Sequence, residues 1–401
     1  MKKYLFIAMA AAGLFSSCSS DDIVGNGNAN ESNLVPIRLG MGQIVTGTRG
    51  TGTVGGLTPE TNVWQGQKVN VYMFNKGTMD LAEFKYIIDG TEYKELIYNN
   101  AEFECPDENG DSVVAKPTDH SIKYYPTQGA YDFWGYRLDG AETADPVSAE
   151  DSIYVNFMID GSQDVMVAKA IPTEGEISKV GDENRIYSAY AARRGVQPVL
   201  NFKHLLTRLT FEVQAAQEDA TNPEAPVVVD AINVKSKNEG KLVVAITGDK
   251  EQHIVWNEMA ADEYPALFLK QRKAKVGDEN IASEDLEPLT PVSLADIKDW
   301  ENEKLPIGEA LLVAPGETEY ELTIALHQEK KSNLEGEQKE INYTYTTKIV
   351  LPENATFEAG TSYKIIVKLY GLNEIQISTV LTQWTDGGEF VLTPEDDTFE
   401  D

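Results

Sequence analysis

The sequence predicts an all-β protein: antiparallel Greek-key β-sandwich domains, two in tandem, with at most short helices. Three observations carry this expectation. Apolar and polar residues alternate over many short runs, the pattern of strands that bury one face and wet the other. Loops rich in Gly, Pro, Asn and Asp separate the runs and favour hairpins over the long crossovers of a parallel sheet. A single stretch, starting at Ser293, has the spacing of a helix, with Asp296 as a capping partner and Leu294, Ile297 and Trp300 on one side.

Taken from the N-terminus, residues 1–17 read as a signal peptide. Lys2 and Lys3 precede the run YLFIAMAAAGLF, which is too short to cross a hydrocarbon core about 30 Å thick as a helix. Ser16-Ser17-Cys18 resembles the lipobox of bacterial lipoproteins, although Phe15 stands where that motif usually has Leu and Leu14 lies one place further out. The resemblance implies cleavage before Cys18 and acylation of Cys18, a lipid anchor of several chains. The alternative is plain secretion, with Cys18 incidental. Residues 18–33 then form a lipidated tether, SSDDIVGNGNANESN after the cysteine, of roughly 20 Å span. Asp21-Asp22 resembles the acidic signal that sends some lipoproteins to the outer leaflet; otherwise it is linker charge.

The body follows as strands. Residues 34–44, LVPIRLGMGQI, place Ile37, Leu39 and Met41 on one face. Alternation returns at Val69, Val71 and Met73, at Ile153, Val155, Phe157 and Ile159, at Leu209, Phe211 and Val213, and at Leu242, Val244 and Ile246. It continues at Tyr320, Leu322, Ile324 and Leu326, at Tyr363, Ile365, Val367 and Leu369, and from Ile375 to Leu381. Alternation stops over residues 214–226, where Pro, Asn, Asp and Glu accumulate, so the expected domains are 34–214 and 215–401. The hexapeptide KVGDEN occurs at Lys179–Asn184 and again at Lys275–Asn280. The flanks differ, which points to repeated turn chemistry rather than duplication.

Composition narrows the chemistry. In 401 residues, 65 acidic against 34 basic side chains give a formal charge of −31, which repels nucleic-acid phosphates. The two cysteines, Cys18 and Cys105, provide no disulfide framework. His120, His204, His253 and His327 are scattered without zinc-ligand spacing, and no G-x-S-x-G elbow occurs, so neither a cofactor nor a catalytic residue is expected and the chain reads as a non-enzyme. DENGD at 107–111 has its Gly misplaced for a calcium loop. GTGTVG at 50–55 satisfies G-x-G-x-x-G, but no strand-helix unit surrounds it. That Gly- and Thr-rich run does make the Arg49-Gly50 bond accessible to an Arg-specific protease; the other reading is an uncut surface loop.

Taken in order, the lipobox, the Arg49 site, Val69–Phe74 (VNVYMF), Tyr124-Tyr125-Pro126, Tyr131–Tyr136 (YDFWGY), Asp164–Ala168 (DVMVA) and Asn201–Val213 (NFKHLLTRLTFEV) resemble fimbrillins, the type V pilin family. Phe357–Leu369 (FEAGTSYKIIVKL), Ile375–Ser378 and Gln383-Trp384 resemble the closing strands of the same family. The resemblance implies two transthyretin-like sandwiches and export as a lipoprotein to the outer membrane. It also implies cleavage after Arg49, loss of the strand carrying Ile37, Leu39 and Met41, and polymerisation at the cell surface by strand exchange with other fimbrial subunits. A groove with unpaired sheet edges is repaired by a neighbour's strand, and head-to-tail contact gives a filament.

The donor expected from this chain is the tail after Trp384, with Phe390 and Leu392 on one face, followed by Pro394 and an acidic run. That donor is short, which leaves a tip adhesin or an uncleaved anchor subunit as alternatives to a stalk subunit, with a host or bacterial surface receptor as partner. The competing class is a glycan-binding surface lipoprotein using Trp64, Tyr72, Tyr124, Tyr125, Trp134 and Tyr136 as a stacking platform, against which stands core packing of the same rings.

Overall fold

The computed structural model describes residues 34–42, 67–105, 113–119, 121–248, 250–273, 286–331, 338–351, 355–370, 375–382 and 390–391. Strands far outweigh helices, as the alternation requires, and the protein is all-β. Two compact units are present. The first gathers described residues from 34–42, 67–135 and 169–201, and the second those from 136–168 and 202–391. This differs from the expected division at 214/215. Strand Ser152–Met158 pairs along its length with Glu239–Ile246, so a segment early in sequence belongs to the second unit. Strand Thr207–Ala215 is likewise a central strand of that unit rather than the last strand of the first.

In the first unit a sheet runs in the order Val199–Leu200, Leu39–Met41, Val113–Pro117, Ala101–Glu104, Lys68–Asn75, Tyr131–Arg137. Lys68–Asn75 buries Val69, Val71 and Met73 as its alternation demands, and it also buries Tyr72 and Phe74 on the opposite face. Its centre is therefore covered on both sides. Aromatic packing continues this core: Tyr98 meets Phe103 edge-on at 5.0 Å, and Phe133 meets Tyr187 at 6.0 Å. A separate hairpin, Glu83–Ile88 with Thr91–Leu96, pairs Tyr86 with Tyr93 and is largely exposed.

This unit also holds a helix, Glu174–Val180. Thr173 and Glu176 form a reciprocal capping box at its start, and Gly181 ends it with φ 75°, a left-handed value that favours Gly. Asp182 then caps the 3-10 turn Glu183–Arg185. The first KVGDEN copy is thus helix-end chemistry; the second lies outside the described residues.

In the second unit two sheets close on one core. One runs Leu305–Val313, Thr207–Ala215, Ser362–Leu369, Ile375–Thr382, Phe390–Val391; the other runs Ala266–Phe268, Val227–Lys235, Glu319–Lys331, Gln338–Val350. Leu209, Phe211 and Val213 from the first and Val227, Leu322 and Ile324 from the second belong to a single apolar cluster. Thr207–Ala215 and Ser362–Leu369 are parallel, in register from Arg208 opposite Ser362 to Ala215 opposite Leu369, a departure from wholly antiparallel sheets. Burial suits parallel pairing here, because both strands carry core residues along their length. A third sheet joins Glu142–Thr143, Ser152–Met158, Glu239–Ile246 and His253–Trp256.

The helix expected from Ser293 is a single 3-10 turn, Leu294–Asp296. Ser293 does cap it, its Oγ accepting from Ala295 N at 3.2 Å, and Leu294 and Ile297 are buried as the spacing required. The chain leaves the turn at once because Ile297 is extended.

Candidate functional site: a seated N-terminal strand

Residues 35–42 thread the first unit. Val35, Ile37, Leu39 and Met41 are buried, while Arg38 between them is exposed, so the alternation read from sequence is realised in space. The segment is held on both sides. Leu39–Met41 runs antiparallel to Val113–Pro117, with Leu39 opposite Ala115, and parallel to Val199–Leu200, with Gly40 opposite Val199. It is therefore an interior strand and not an added edge.

The segment's backbone groups are met along its length. Ile37 N donates to Lys123 O at 2.9 Å, and Tyr125 N donates to Val35 O at the same distance. Gly40 N donates to Pro198 O and Gly42 N to Leu200 O, each at 2.9 Å. Gln197 Oε1 accepts from Arg38 N at 3.3 Å and from Tyr125 Oη at 3.4 Å. Burial pushes the Tyr125 phenol well above its ordinary pKa, so it stays a neutral donor. At Gly42 the neighbouring segment lies against the backbone: a Cβ there would sit 1.8 Å from Asn201 Oδ1.

Ile37, Leu39 and Met41 are thus brought together as one face of a plug. Cys18, Arg49, Gly50 and Leu392 lie outside the described residues, as do Trp64, His120, residues 50–55 and residues 107–111. Phe390 belongs to the two-residue strand Phe390–Val391, which pairs with Val380 and Leu381 at the edge of its own sheet. The chain's last described strand is therefore engaged within the second unit.

The aromatic platform of the competing glycan-binding reading is not assembled among the described residues, and core packing accounts for most of its rings. Tyr72, Tyr125, Trp134 and Tyr136 are buried, and the Lys169 ammonium covers the Trp134 ring at 4.3 Å. Aromatic exposure lies instead on the hairpin of the first unit, where Tyr86 stacks on Tyr93 at 5.5 Å and Phe84 packs against Tyr124.

Sequence reading also missed a buried polar group in the second unit. Asp164 is fully buried and is hydrogen-bonded to His204 Nδ1. Arg208, four residues on from His204, donates to Ser362 Oγ at 3.1 Å, and burial lowers its pKa to about 10. These residues come from DVMVA and NFKHLLTRLTFEV, so two stretches that carried the resemblance meet in one interior network. A charged residue inside an alternating apolar run was the available sign. Among the described residues no group of three potential ligands is placed to hold a metal ion, and no helix is long and apolar enough to cross a membrane.

Comparison with protein families decides the assignment. The family described as fimbrillin-like matches residues 48–384. The chain belongs to the fimbrillin-like family. Residues 35–42 precede the matched range. Among solved structures, a protein assigned to cell adhesion from Bacteroides uniformis shares 13% identity, with a TM-score of 0.42, over 89% of this chain and 100% of that one. The fimbrial anchor protein Mfa2 from Porphyromonas gingivalis shares 10%, with a TM-score of 0.32, over 89% of this chain and 98% of that one. No curated protein matches the sequence.

Proposed function

We propose that this fimbrillin-like chain is a structural subunit of a cell-surface fimbrium that supports adhesion. In this reading it is exported as a lipoprotein acylated at Cys18 and held at the outer membrane by that lipid. An Arg-specific protease then cuts between Arg49 and Gly50, and the subunit polymerises by strand exchange with other subunits. The observation that carries the reading is the seat of residues 35–42. A segment lying just before Arg49 supplies an interior strand, with Val35, Ile37, Leu39 and Met41 buried and neighbours hydrogen-bonded on both sides. Its removal leaves an apolar slot with two unpaired edges, the state that an incoming strand relieves. The placeholder keeps the monomer closed until the cut, so assembly needs no nucleotide.

A second reading is favoured by the pairing of Phe390–Val391 with its own sheet. A tail retained in that position is not available to a neighbour, which suits a tip or anchor subunit that accepts a strand, or keeps its own, without donating one. A glycan-binding lipoprotein has less support, since four of its six candidate rings are buried.

The test is to treat lipid-free protein beginning at residue 19 with an Arg-specific protease and follow cut site and product size. Cutting after Arg49 followed by a ladder of denaturant-resistant oligomers, absent in Arg49→Ala, supports the stalk subunit. A cut monomer supports the tip, and resistance at Arg49 supports the anchor.

A further inference from the structure

A chain with 65 acidic and 34 basic side chains repels its own copies, so contact between copies depends on local cations that are not already neutralised. In the first unit the run Lys179–Arg194 is an island of the opposite sign, with four basic and two acidic residues. At its centre the Arg185 and Arg194 guanidinium carbons each lie 3.4 Å from the Tyr190 ring centroid. Two groups that close to one centroid must lie on opposite faces, since on one face they would overlap. Tyr190 is clasped between two arginines.

The clasp is built rather than incidental. Ser188 Oγ donates to Arg185 O at 2.6 Å and accepts from Ala191 N at 3.2 Å, which ties the arm carrying Arg185 to the short helix Ala189–Ala192 carrying Tyr190. Arg194 is returned over the ring by its N–H bond to Ala191 O at 2.9 Å, and its Nη1 donates to Tyr190 O at 3.2 Å. Both arginines are exposed, and among the described residues neither makes an ion pair with a carboxylate. Contact with the ring restrains both exposed guanidinium groups, which lowers the cost of receiving carboxylates in paired hydrogen bonds.

We propose that the Arg185–Tyr190–Arg194 clasp is the receiving site for the acidic C-terminal segment, residues 394–401, of a second copy of this chain. That segment, PEDDTFED, carries five acidic residues and no basic one, which matches two separated cations better than a single carboxylate does. The proposal rests on the reading that copies join one to the next, and gives that contact an electrostatic latch outside the strand seat.

The test uses the lipid-free chain, residues 19–401, and a fluorescent peptide of residues 392–401, with anisotropy read at 50 mM NaCl. The expected result is saturable binding that weakens at least tenfold in Arg185→Ala/Arg194→Ala and again at 300 mM NaCl, with Arg185→Lys/Arg194→Lys intermediate. Circular dichroism melts of the lysine variant report whether the fold is kept. Absence of binding to the wild-type chain, or equal binding by the alanine variant, overturns the proposal. Protease-triggered assembly of the wild-type chain is scored separately. Assembly without peptide binding sinks the latch alone, and binding without assembly sinks the strand-exchange reading alone.

Discussion

Leu39→Ala tests the seat of the N-terminal strand most directly. Leu39 is 1% exposed, so truncation removes about three buried carbons, worth about 2 kcal/mol in transfer free energy. The residue opposite it is Ala115, itself buried and too small to swing into the gap, so a cavity term adds to the loss. We predict a destabilisation of about 3 kcal/mol. For a unit of this size that corresponds to a fall in Tm of about 6 to 12 °C. The assay is thermal unfolding followed by fluorescence of Trp134, which is buried in the same unit. Arg38→Ala, at the exposed position next door, serves as the control and should change stability by less than about 0.5 kcal/mol. A Leu39→Ala midpoint equal to wild type, or an equal loss in Arg38→Ala, would refute the idea that odd-numbered side chains of this segment complete the core.

Three further outcomes are expected. Asp164→Ala should cost about 3 kcal/mol in the second unit, because it breaks a buried pair with His204; a urea midpoint unchanged from wild type would contradict it. Burial by itself raises the Asp160 pKa, yet hydrogen bonds from Lys270 and Ser162 hold it below its ordinary value. A depressed folded-state pKa stabilises above the unfolded value of about 4 and ceases to do so as pH falls through the folded one, so Asp160→Asn should be less stable than wild type at pH 7 with the gap closing below pH 4. On the proposed processing, loss of Lys2 and Lys3 would take the charge from −31 to −33, and repulsion between copies should make protease-triggered assembly slower at low salt. Light-scattering traces that rise faster in 20 mM than in 200 mM NaCl would count against that account.

Much of the fold is legible because strands that bury one face write a period of two into the sequence. Leu209, Phe211 and Val213, or Tyr320, Leu322, Ile324 and Leu326, are core residues for that reason. Legibility fails where both faces are covered, as at Tyr72 and Phe74, since nothing in local spacing tells a second buried face from a solvated one. The helix Glu174–Val180 was within reach: Thr173 and Glu176 spell its capping box, but the segment is short and buries only Val180, so it lacks an apolar stripe. The division into units was out of reach, because pairing of Ser152–Met158 with Glu239–Ile246 is a long-range choice that local composition does not encode. At the candidate site the alternation of Ile37, Leu39 and Met41 was readable. Its two partners were not, nor was the meeting of Asp164 with His204 forty residues away.

The parallel pair at the heart of the second unit sets a clock. Arg208 meets Ser362 across 154 residues, and the other neighbour of strand Thr207–Ala215, Leu305–Val313, also follows it by about a hundred. During synthesis this strand therefore has no sheet partner until most of the chain exists, and its parallel partner arrives near the end. Long-range closure of this kind is slow, and it leaves the apolar face of Leu209, Phe211 and Val213 uncovered in the meantime. A chain that delays its own closure stays extended for longer during synthesis, and that face is open to aggregation until Ser362–Leu369 arrives.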